Sequence, residues 1–168
     1  MPEIWDLYDR HLTPLGKTHI RGEKLNEGEF HIVVQILAMN KEGKVLITKR
    51  HPDKPFGDKW EISGGSAVSG ETHEVAAKRE LFEETGLVAD ELSFLGTIVR
   101  NPTGCIYMFY LYQDDFSEKD IVLQEKETVD FKLVFPCEIK EMTIKGEFLD
   151  FLYHRIKAVY SDIFGEQI

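Results

Sequence analysis

Residues 64–87 read GGSAVSGETHEVAAKRELFEETGL. Two glycines open the stretch, helix formers fill it, and Gly86 closes it. The pattern predicts a helix from about Glu71 to Thr85, ended by Gly86 in the left-handed conformation common at helix C-termini, with Leu87 as the apolar residue that follows such a cap. Glu80, Glu83 and Glu84 crowd its end. At about 100° per residue they share an arc of roughly 100°, together with the small side chains of Ala76 and Ala77. Val75 and Phe82 point the other way and are expected to face a core, while Leu81 points in a third direction. Glu80 and Glu84 repel at i, i+4, by about 0.2–0.5 kcal/mol. Acids in the last turn also oppose the helix dipole, by roughly 0.3–1 kcal/mol each when exposed. A helix selected only for stability would carry Lys or Arg there. One reading is a solvated charged face; the other is a bound divalent cation, which reverses the sign of both terms. Carboxylate oxygens are hard ligands suited to Mg²⁺ or Mn²⁺.

Outward from this helix the chain reads mainly as strands. Residues 4–23 form an N-terminal hairpin with a turn expected at Pro14–Gly16. HIVVQILAMN from His31 is rich in β-branched residues and long enough for a buried strand. KVLITKR (44–50) pairs with it across the Asn40–Gly43 turn. HPDKPFGDK (51–59) is a turn-rich loop, and WEISGG is a short strand. After the helix, ELSFLGTIVR and CIYMFYLYQ are strands around the turn NPTG. Residues 114–127 form an acidic loop, TVDFKLV is a last strand, and residues 146–164 form an amphipathic terminal helix. Strands with a few helices give an α/β class with a mixed sheet.

Composition narrows the function. The chain has 168 residues, 42% of them hydrophobic, enough for one domain with a core. Thirty acidic against 20 basic residues give a net charge of −10. That balance argues against binding a nucleic-acid duplex through a basic patch. It leaves room for a small anion held through a metal. Two cysteines, Cys105 and Cys137, form no CxxC pair and suggest a reduced, cytoplasmic setting. The first residues do not read as a signal peptide, and no apolar run approaches a membrane span.

The spacing Gly65, Glu71, Arg79-Glu80-Leu81, Glu83-Glu84, Gly86-Leu87 resembles the Nudix box at every defining position. The box covers 65–87, within one Nudix hydrolase domain over 1–168 that carries residues 1–25 as a hairpin extension. The resemblance implies an α/β/α sandwich and a pyrophosphohydrolase using Mg²⁺ or Mn²⁺. Its substrate would be a small anionic diphosphate, often a nucleoside diphosphate linked to another group. It implies Glu80, Glu83 and Glu84 as metal ligands, with the Gly65 carbonyl, and an orienting role for Glu71. Arg79 is expected to hold a carboxylate by a bidentate pair. The general base is left between Glu127, from outside the box, and Glu83. Lys49 and Arg50 end a strand and are candidates for binding the diphosphate.

WDLYD and GKTHIRGEKLNEGEFHIVV also resemble the branch close to isopentenyl-diphosphate isomerase. Yet that chemistry uses a cysteine after this strand and a histidine two residues on, and here Trp60-Glu61-Ile62-Ser63 runs into Gly64-Gly65-Ser66-Ala67, with neither residue. A nucleotide sensor without turnover is the third reading, against which stand the retained box glutamates. Pro102, fifteen residues after Leu87, has a spacing resembling that of ADP-ribose pyrophosphatases. Family habit, with Trp5 and Tyr8 taken as exposed, suggests a homodimer.

Overall fold

Ten residues alternating around two apolar faces make the central strand of the sheet. In the computed structural model, which describes residues 1–165, strand β3 (His31–Asn40) buries Ile32, Val34 and Ile36 on one face and Leu37 near its end on the other. The single domain expected over 1–168 has its last three residues outside the described part.

The elements before it form the N-terminal hairpin, β1 (Ile4–Tyr8) and β2 (Pro14–Ile20). β4 (Val45–Arg50), β5 (Trp60–Glu61) and β6 (Ser63–Ser66) precede helix α1 (His73–Thr85). β7 (Ser93–Arg100), β8 (Cys105–Asp114) and β9 (Thr128–Val134) follow, then α2 (Pro136–Ile144) and α3 (Asp150–Val159). Among the described residues the main sheet has seven strands, with the path β5-β4-β3-β8-β7, β6 beside β3 and β9 beside β4. β3 and β8 run parallel from His31/Cys105 to Asn40/Asp114, and the other pairs are antiparallel. The sheet is therefore mixed, as expected. One apolar cluster packs it against α1 through Ala76, Ala77 and Leu81; the other packs it against α2 and α3 through Ile139, Leu152 and Ile156. The layers are α/β/α. No described helix is long and apolar enough to cross a membrane.

The pairing of β3 with β4 decides where the site lies. They are in register only at Met39 and Val45, beside their connecting turn. Beyond that point they part, β3 taking β6 as its neighbour while β4 takes β5 and β9. Gly64 and Gly65 lie on β6, next to this divergence.

Several expectations are corrected. The hairpin turn spans 9–13, and Pro14–Gly16 belong to β2. The Asp9 carboxylate accepts from the backbone N–H groups of His11 (2.8 Å) and Thr13 (2.9 Å), closing the turn before the proline is reached. Helix α1 begins at His73, because Thr72 is its N-cap and accepts from the Val75 N–H at 3.2 Å. Val75 and Phe82 are 52% and 54% exposed, so they do not face a core. The inner face consists of Ala76, Ala77, Leu81, Glu84 and Thr85. Small residues let the helix sit close to β6, and the two large apolar side chains fall outside. The WEISGG strand is two short strands with different partners. Helix α2 went unread, and the terminal helix stops at Val159 before a separate turn of 3₁₀ helix at Ser161–Phe164. Trp5 is only partly exposed: its ring lies on His31 with centroids 3.8 Å apart and planes 8° off parallel. Tyr8 packs against the core. Both rings suggested for a dimer contact are engaged within the chain.

Candidate active site

Arg79 organises the acidic end of α1. Its Nε and Nη2 donate to the two oxygens of Glu71 at 2.7 and 2.9 Å, a bidentate pair. Nη2 also donates to the Ser66 carbonyl at 3.1 Å, and Nη1 to Glu80 (2.8 Å) and Glu83 (3.1 Å). The bidentate partner is thus Glu71, from the loop before the helix, and Glu71 in turn accepts from the Val68 N–H at 3.0 Å. Arg79's hydrogen bonds hold the Glu71 carboxyl below its ordinary pKa, and its own guanidinium is raised chiefly by Glu71.

Glu84 has the opposite environment. It is 8% exposed, and its side chain accepts one hydrogen bond, from the Gly64 N–H at 3.3 Å. Burial first, then the charges of Glu61 and Glu80, push its pKa up to about 8. Glu80 is also raised, again mainly by burial, although Arg79 opposes the shift. A Cβ on Gly65 would lie closer to the Glu80 carboxyl than real Cβ contacts allow, so any larger residue there would push the end of the Glu80 side chain aside. β6 and α1 thus bring Gly64, Gly65, Glu80 and Glu84 into one place. Glu83 is exposed, with Arg79 at its side.

The opposite wall comes from β4, β5 and two loops. Arg50 Nη1 donates to both oxygens of Glu61 (2.8 and 2.7 Å), and its Nε donates to the Pro55 carbonyl at 2.9 Å. Glu61 is raised by burial against this pairing. Lys49 lies 3.5 Å from Asp58. Glu127 pairs with Lys54, and its carbonyl accepts from the His51 N–H at 3.0 Å. Sequence reasoning missed Glu61 and Lys54. Lys54 is partly buried, its pKa lowered first by burial, and its charge acts on Glu61 and Glu84. The only signal for it was a lysine inside a loop of prolines and aspartates, which carries no periodicity.

The donor set can be tested against a cation. All the side-chain donors are carboxylate oxygens, the chemistry Mg²⁺ and Mn²⁺ prefer. Glu84 is a buried acid with one weak donor, which a cation would relieve. As the side chains stand, no three acidic, imidazole or thiol groups among the described residues close into a cage; Glu80 and Glu83 are turned onto Arg79. The residues fit a divalent ion in chemistry and burial. Separately, a cavity of about 860 Å³ opens between the hairpin, residues 22–31 and residues 101–104.

A mixed α/β/α sandwich with an acidic box helix beside a split sheet is the arrangement of the Nudix hydrolases. The model of the NUDIX domain matches residues 29–151, and the chain belongs to this family. An uncharacterized Nudix hydrolase of Listeria monocytogenes is 35% identical over 153 residues, which cover 90% of each protein. A crystal structure of a Deinococcus radiodurans protein superposes with a TM-score of 0.76 at 20% identity, covering 94% of this chain and 99% of that one. A bifunctional NMN adenylyltransferase/ADP ribose pyrophosphatase from Francisella tularensis, complexed with AMP and a manganese ion, gives a TM-score of 0.60 at 21% identity over 80% of this chain and 42% of that one. At those identities the two structures speak for the fold alone. The enzyme class is that of a Nudix pyrophosphohydrolase.

Proposed function

We infer that the enzyme hydrolyses the diphosphate bond of a nucleoside diphosphate linked to another group, and does so only with Mg²⁺ or Mn²⁺. The observation that carries this reading is Glu84: a buried, nearly unpartnered carboxyl beside Glu80 and Glu61. Left alone, it costs stability whenever it ionises. Glu80, Glu83, Glu84 and the Gly65 carbonyl would hold the ion. When bound, the ion supplies charge neutralisation for the diphosphate and acidifies water.

The chain's own residues do the rest. Arg79 and Glu71 are positioning residues that fix the end of α1 against the loop before it. Glu127 or Glu83 takes the proton from the attacking water. Lys49 and Arg50 border the substrate on the β4 side, with Arg50 acting through Glu61. A panel of ADP-ribose, other nucleotide sugars, dinucleoside polyphosphates and nucleoside triphosphates, each with Mg²⁺ and with chelator, tests the reading. Metal-dependent release from at least one of them is expected. Turnover that persists in chelator, or silence across the panel, would count against it.

A further inference from the structure

Glu61, Glu71, Glu80, Glu83, Glu84 and Glu127 lie around the site, and among the described residues Arg50, Arg79 and Lys54 are the cations paired with them. The cations are held very differently. Arg79 donates to three carboxylates and a carbonyl. Arg50 is fixed by both oxygens of Glu61 and by a carbonyl in the next loop. Both are planar forks tied at several points. The Lys54 ammonium has one side-chain partner among the described residues, Glu127, itself on a loop. It is a compact charge on a flexible four-carbon stem, yet its field reaches Glu61 and Glu84. The backbone beneath it is well fixed: Lys54 N–H donates to the His51 carbonyl and Gly57 N–H to the Lys54 carbonyl, at 3.0 and 2.9 Å. A Cβ on Gly57 would collide with the Pro52 backbone, so this loop is tightly folded. The loop backbone is held by its own hydrogen bonds, while the ammonium it carries is held by the single Glu127 pair.

We propose that Lys54 is the exchangeable counter-cation of the acidic site. In the metal-free enzyme it lends positive charge to Glu84 and Glu61 while paired with Glu127; on metal loading it yields, and Glu127 is released to face water. Like charges beside one carboxylate oppose each other, so a divalent ion at Glu84 and the Lys54 ammonium paired with Glu127 nearby disfavour one another. This rests on the metal-dependent reading above and deepens it: Lys54 sets how readily the site loads and couples loading to the availability of Glu127.

The test is Mn²⁺ binding to the full-length metal-free protein, followed by the loss of the free-ion electron paramagnetic resonance signal. Lys54→Met is expected to bind Mn²⁺ three- to tenfold more tightly than the wild type, and Lys54→Arg, which keeps the charge, to stay within twofold of it. Circular dichroism and thermal melting check that both variants are folded; the side chain is on a loop and partly exposed, so both should be. Lys54→Met binding with unchanged or weaker affinity, or Lys54→Arg binding as tightly as Lys54→Met, overturns the proposal and leaves the metal-dependent reading standing. A wild type that takes up no Mn²⁺ overturns both.

Discussion

Arg79 reaches back eight residues to hold Glu71 with two hydrogen bonds, of 2.7 and 2.9 Å, while its third nitrogen steadies Glu80 and Glu83. One guanidinium thereby joins the loop before α1 to the acidic end of the helix. Charge-assisted hydrogen bonds of this kind contribute about 1.5–3 kcal/mol each. Arg79→Lys keeps the charge but loses the fork. It should lower the stability of the fold by about 1–3 kcal/mol in urea melts and cut kcat about 10–100-fold, the range typical when a group supporting a metal site is lost. An equal kcat in the two proteins would show that the fork is only structural.

The same pair has a pH signature. Arg79 lowers the Glu71 pKa in the folded state, so the pair's stabilisation is complete above the ordinary glutamate range and is lost as pH falls through the folded value. Glu71→Gln should therefore flatten the acid limb of the stability curve below about pH 4.5 and leave the neutral region parallel to the wild type. Parallel curves throughout would remove this assignment.

Glu84 predicts the opposite trend. Its folded pKa, about 8, lies above that of an unfolded glutamate. Between about pH 4.5 and 8 the folded state binds the extra proton, so raising pH through that window destabilises the metal-free protein. The size is on the order of a few kcal/mol. Glu84→Gln should melt higher than the wild type at pH 8 and alike at pH 4.5, while its turnover falls at least 100-fold, the scale of losing a charge-stabilising group. A variant that melts lower at both pH values, or that keeps near-normal turnover, would refute the role given to Glu84.

Gly65 offers a test without touching a charge. Gly65→Ala places a methyl group against the Glu80 carboxyl. Only the end of that side chain must move, so the fold should persist in circular dichroism while activity falls more than about tenfold. Full activity would mean that the closeness of β6 to Glu80 has no bearing on the chemistry.

Much of this arrangement was legible in the sequence because α1 carries its stop and its charge pattern within two dozen residues, although its start falls at His73 rather than Glu71. Gly86 ends the helix with φ 75° and its N–H on the Phe82 carbonyl at 2.8 Å, as its position implied. The facing of α1 was not legible. Periodicity reports large apolar residues, and here the inner face is built of two alanines, one leucine, one threonine and an acid, with Val75 and Phe82 outside. α2 is nine residues long and starts at Pro136, which reads as a breaker until it is seen in the first turn, where the Glu138 carboxylate accepts from the Phe135 N–H at 2.7 Å. Lys54 and Glu127 are 73 positions apart, joined only because β9 lies against β4. No local pattern encodes that meeting.

The central claim is that a cation lies between the carboxylates of Glu80 and Glu84. Crystals soaked in MnCl₂ and measured at the manganese absorption edge test it most directly. An anomalous peak within coordination distance of both side chains, absent from Glu84→Gln crystals, is the predicted result. A well-ordered site with no peak there, or a peak that survives in Glu84→Gln, would contradict it.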